Sequence, residues 1–164
     1  MRLAKTFTEI SNAERRAAEY TVKSYSPMGK ITGLGAVEVS ALEYIIPSQE
    51  FAFHGIRFDI TSGGDYPQTS VAIVAISDAE DLLASLEDLA STTIKKDRFS
   101  LTEIELKIEN LRIVLFNNDR DRLAFLVEAS GIGSHFARQN ILVDLHKLVK
   151  LAIDHLRTSA PDLI

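Results

Sequence analysis

The chain has 164 residues, 46% of them hydrophobic and 25% charged, with a formal net charge of -5 and no cysteine. That composition holds enough apolar surface for one buried core and excludes a disordered chain, and the lack of thiols excludes disulfides, thiolate metal sites and a cysteine nucleophile. An acidic balance without a basic stripe argues against nucleic acid as a partner.

Thr6, Thr8, Glu9 and Ser11 stand where a signal peptide needs an apolar stretch, and the apolar runs are too short to span a bilayer. No membrane contact and a cytoplasmic location are therefore expected. Ser11, Asn12, Ala13 and Glu14 have the pattern of a capping box and predict a short helix to about Lys23. Its apolar face is thin, with Ala13, Ala17 and Tyr20 at helical spacing. Residues 26–36 contain Pro27, Gly29, Gly33 and Gly35 and read as an irregular linker. The expected organisation is one domain over 1–164, with a helix and linker in 1–36 and the core in 37–157.

Three strands follow, at 37–46, 51–61 and 69–76. Ile56, Phe58 and Ile60 alternate with Arg57, Asp59 and Thr61, which gives one buried and one wet face. The stretch from Val71 to Ile76 is apolar on both faces and reads as a central strand. Ser77, Asp78, Ala79 and Glu80 form a second capping box, after which Leu82, Leu83, Leu86 and Leu89 predict a helix ending near Ser91. Strands are then expected around 103–108, 111–116 and 123–128, as a three-stranded meander.

From about Asn140 to Arg157, Ile141, Leu142, Leu145, Leu148, Val149, Ala152, Ile153 and Leu156 share one helical face. Arg138 would interrupt that stripe, so the helix should begin after it or project beyond the core. The order α-βββ-α-βββ-α, with short connections, demands antiparallel pairing and defines an α+β fold with helices packed on antiparallel sheet.

The motifs are weak. Gly131, Ile132 and Gly133 begin a G-x-G-x-x-G pattern that fails at Phe136, so they read as a helix-entry turn. Gly29 and Lys30 resemble the end of a P-loop, but Ser24 and Ile31 occupy its other defining positions. Asn117, Asp119, Asp121 and Glu128 have calcium-loop spacing, yet Arg122 replaces the required glycine and a polar hairpin turn is expected. Lys95, Lys96 and Arg98, and the acidic row Glu103, Glu105 and Glu109, read as solvated.

His54, His135, His146 and His155 share no metal-ligand spacing, and no nucleophile or orienting acid is identifiable beside His54. No catalytic residue, metal or cofactor is therefore assigned. The candidate binding residues are Ser62, Gly63, Gly64, Asp65 and Tyr66, a contact loop in which Tyr66 would be the aromatic anchor.

The helix after Ser11, the strands to Ile76, the 78–91 helix, the 103–116 hairpin and the 140–157 helix follow an order that resembles the small acidic chaperones of type III secretion and the YbjN-like proteins. A strand at 123–128 is additional to that pattern. The resemblance implies a homodimer that binds another protein through apolar surface, without catalysis. The expected function is thus a non-catalytic protein-interaction module, such as an adaptor, chaperone or inhibitor. The alternative is a small-molecule-binding protein or unusual enzyme with a pocket between sheet and helix, using His54 or Arg57.

Overall fold

The structure is a computed structural model that describes residues 20–94, 101–117 and 122–159. Four strands, β1 (Val22–Gly33), β2 (Gly35–Ile46), β3 (Phe51–Ser62) and β4 (Thr69–Ala75), lead into helix α1 (Ile76–Ser91). Four more, β5 (Glu103–Ile108), β6 (Leu111–Asn117), β7 (Leu123–Ala129) and β8 (Ile132–Phe136), lead into helix α2 (Ile141–Ser159). Each set of strands forms an antiparallel sheet in sequence order. Among the described residues the fold is α+β, as expected, but its order is ββββα-ββββα.

The alternation of side chains sorts each sheet into an inner and an outer face. In the first sheet Val37, Val39 and Ala41 of β2 lie opposite Ile60, Phe58 and Ile56 of β3, and all six are buried. In the second, Ile113 and Leu115 of β6 pair with Val127 and Phe125 of β7. Phe125 stacks on Phe136 with ring centroids 4.7 Å apart. Leu82, Leu86 and Leu89 of α1, and Leu142, Leu145, Val149, Ile153 and Leu156 of α2, close this interior. Both sheets and both helices contribute to one contiguous cluster of buried side chains. Each fully buried leucine contributes about 1.5–3 kcal/mol, so the helices are held by their apolar stripes more than by their caps.

Several expectations are corrected. The first predicted helix lies mostly outside the described residues, but Val22 and Lys23, placed at its end, begin β1. The linker at 26–36 is instead the body of β1, the hairpin tip and the start of β2. Its Pro27 is tolerated because β1 is an edge strand, and a register shift lies between Pro27 and Gly29. Gly29 has φ of 147°, and a Cβ there would lie 2.9 Å from a Leu148 methyl carbon, so its bareness admits α2.

The 69–76 segment is an edge strand, not a central one. Ala72 and Val74 are buried while Val71 and Ile73 face outward. Ser77 does not cap α1: the chain passes directly from β4 into the helix, Ala75 holds the N-cap position without a side-chain bond, and Asp78 falls in the first turn. The residues read as a helix-entry turn at 131–133 open a fourth strand, with Glu128 opposite Gly133 and Ala129 opposite Ile132. Arg138 precedes α2, as one of the two expected arrangements required.

Candidate functional site

The two sheets meet where the β1–β2 hairpin turns. β1 ends at Gly33 and β2 begins at Gly35, leaving Leu34 alone at the tip. Its backbone N–H donates to the His135 carbonyl of β8 at 2.8 Å. A Cβ at Gly33 would lie 2.3 Å from that carbonyl oxygen, so only glycine permits the approach. Backbone pinned inward leaves the Leu34 side chain pointing out, 72% exposed.

The predicted contact loop lies beside this tip. Ser62 closes it, donating its N–H to the Gln68 carbonyl at 2.8 Å and accepting the Gln68 N–H on Oγ at 2.9 Å. A Cβ on Gly63 would stand 2.8 Å from the Leu34 carbonyl oxygen, which puts loop and tip in contact. Gly64 has φ of 94° and open space around it. Asp65 is exposed, and Tyr66 is 91% exposed. Of Ser62, Gly63, Gly64, Asp65 and Tyr66, Gly63 meets the tip, whose exposed leucine falls in the stretch expected to be a linker.

On the other side of the tip is a groove of about 350 Å³, lined by Leu34, Phe116, Ala124, His135 and Phe136, and almost wholly apolar. Phe116 meets the His135 ring edge-on, with centroids 6.3 Å apart. On the same face of the second sheet as Phe116, Val114 lies between Glu105 and Leu126 in cross-strand register. Arg112 bridges Glu105 and Glu128, each at 3.3 Å, along the margin of this apolar surface.

A second, smaller site lies between the first sheet and the C-terminal turns of α2. Folding β2 and β3 about the Pro47–Gln49 turn sets Ile46 opposite Phe51 and, three residues further on, Glu43 opposite His54. His54 Nε2 lies 2.9 Å from Glu43 Oε2, and the imidazole is only 9% exposed. These two residues, His155, Ser24, Ser26 and Ser159 line a cavity of about 200 Å³. The sequence reading missed both Glu43 as an acid beside His54 and the approach of His155. The hairpin register was the available signal for Glu43; that for His155 is purely tertiary.

Arg57 is on the opposite face of the first sheet, away from this cavity. It bonds the Asp59 carboxylate through Nε at 3.1 Å and Nη2 at 2.9 Å, and lies over the Tyr25 ring at 4.7 Å. The Asp59 hydrogen bond holds the guanidinium above its ordinary pKa, against the opposing effect of burial.

The calcium-like window is not assembled. Asn117 Oδ1 accepts the Thr102 N–H at 2.8 Å, whereas Glu128 pairs with Arg112 five residues back along β6. At roughly 3.3 Å per residue the two are about 17 Å apart. Asp119 and Asp121, like Lys95, Lys96 and Arg98, lie outside the described residues. Among the described residues no three His, Asp or Glu side chains are placed to hold a metal ion, and no helix is long and apolar enough to cross a membrane. No protein-family model matches the chain, and no curated protein matches it in sequence.

Proposed function

We propose that this protein is a non-catalytic interaction module that contacts another protein through the Leu34 tip, the 62–66 loop and the adjoining apolar groove, and that a second copy of the chain is one such partner. The observation that carries this reading is a 72% exposed Leu34, its backbone held by His135, next to a loop closed between Ser62 and Gln68 that carries a 91% exposed Tyr66. An exposed leucine alone means little. A leucine that lines an apolar groove, with a tyrosine three residues beyond the point where its loop meets the same tip, has the composition of an interface anchor, because such side chains desolvate a large area at little conformational cost.

Sedimentation across micromolar concentrations tests the reading. The expected mass approaches twice the 18.2 kDa of one chain, and Leu34→Glu returns it to a single chain without changing the circular dichroism. A mass of one chain at every concentration, or a dimer indifferent to Leu34→Glu, overturns it.

The His54–Glu43 pair favours a second reading, a small-molecule site between sheet and helix. Its volume of about 200 Å³ falls below the roughly 300–1,000 Å³ usual for ligand pockets, which places this reading second. It requires a small molecule that raises the melting temperature of the native chain but not of His54→Ala.

A further inference from the structure

We infer that the groove between the end of β1 and the start of α2 binds an extended, acidic peptide segment of a partner protein. The groove has a volume of about 620 Å³ and is open along one side. Its cations are Lys30 on β1, Arg138 ahead of α2, and Lys147 on α2. All three are exposed, and none has an ion pair or hydrogen bond through its side chain among the described residues. Arg57, Arg112 and Arg157, by contrast, are each paired with a carboxylate. Glu38 lies directly across from Lys30 in the sheet and still does not pair with it.

Three cations that line one groove, unpaired among the described residues, on a chain with net charge -5 make a local field opposite to that of the molecule. Such a patch is complementary to an anionic partner and would steer its approach. Asp144 is the one carboxylate among the described residues that line the groove, so the positive sign survives among them.

The shape selects the class of anion. Ile31, Leu148 and Leu151 give the groove an apolar wall, which suits carboxylates interspersed with aliphatic side chains better than a bare phosphate. Among the described residues no aromatic ring lines it, so nucleobases would find no stacking platform there. Among the described residues β1 is one of the two edge strands of its sheet, and an edge strand offers unpaired backbone groups along which an extended peptide can lie. The residues that line it also adjoin the tip: Lys30 and Thr32 here, Gly33 and Leu34 in the apolar groove, with Arg138 and Ala137 divided in the same way. The inference shares with the proposed function only the premise that the partner is a protein.

The test uses the full chain and a fluorescein-labelled peptide of repeated Glu-Glu-Leu, with repeated Gln-Gln-Leu as control, read by anisotropy. Saturable binding of the acidic peptide alone is expected, weakened about tenfold in Lys30→Glu with Lys147→Glu, restored in Lys30→Arg with Lys147→Arg, and reduced by salt. Both positions are exposed, so circular dichroism should stay unchanged. Equal binding to the charge-reversed chain, no binding of the acidic peptide, displacement of the peptide by an equal concentration of inorganic phosphate, or tighter binding of oligouridylate would each overturn the assignment. Lys30→Glu with Lys147→Glu, neither of which lines the apolar groove at the tip, loses peptide affinity but still sediments as the proposed dimer, so the two claims fail separately.

Discussion

Leu34 and His135 are one hundred and one positions apart in sequence, yet the Leu34 N–H bonds the His135 carbonyl at 2.8 Å and ties the tip of one sheet to the edge of the other. The Ser134 hydroxyl adds a long bond of 3.5 Å to the Leu34 carbonyl. Gly33→Ala should break this junction, since the new Cβ would sit 2.3 Å from the His135 oxygen. A loss of about 1–3 kcal/mol on denaturant unfolding is expected, from strain and a forfeited hydrogen bond. An unchanged midpoint would show that the tip is not held against β8.

Asn110 provides a second junction of different chemistry. From the β5–β6 turn its side-chain amide donates to the Val71 carbonyl at 3.0 Å and accepts the Ile73 N–H at 3.4 Å, imitating a neighbouring strand along the edge of β4. Asn110→Ala should cost about 1 kcal/mol, because these bonds are exposed and water replaces them in part. It should also raise the tendency to aggregate by freeing a strand edge. Static light scattering during thermal unfolding checks the second effect, and no change in either quantity would dismiss the junction.

Gln139 holds the end of α1 in the same manner. Its amide nitrogen lies 2.8 Å from the Leu89 carbonyl and 2.6 Å from that of Thr92, while its backbone N–H bonds the Leu123 carbonyl of β7 at 3.1 Å. Terminal carbonyls of a helix have no partner within it, so Gln139→Ala should destabilise the chain by about 1–2 kcal/mol and speed amide exchange in the last turn of α1. Exchange unaltered in that turn would contradict this.

Leu86 faces the centre of the interior with no exposed surface. Leu86→Ala should cost about 2–5 kcal/mol, the usual price of a leucine-sized cavity. A loss under about half a kcal/mol would mean that α1 does not pack on the core.

Where the apolar pattern was strong, the sequence disclosed the elements. Leu82, Leu86 and Leu89 placed α1, the stripe from Leu142 to Leu156 placed α2, and strict alternation placed β3 and β5. Glycine and proline misled the reading wherever strand edges or close backbone contacts, and not turns, required them. Pro27 sits in an edge strand, Gly33 lets His135 approach, and Gly133 lies within β8, where a Cβ would meet Leu126 at 2.6 Å. Val71 to Ile76 looked central because it is apolar, but the outward side chains of its strand residues belong to an edge that, among the described residues, Asn110 covers in part. The predicted loop with Tyr66 was legible from its turn residues. Its neighbour Leu34 was not, because only tertiary pairing leaves that leucine outside.

The central claim is that the tip and its groove form a contact surface, and hydrogen exchange at dilute and concentrated protein reads it most directly. On raising the concentration, amides at 33–35, 63–66 and 135–137 should exchange more slowly while those of α1 stay unchanged. Exchange independent of concentration in all three segments, or protection appearing instead around Phe53 on the outer face of the first sheet, would contradict it.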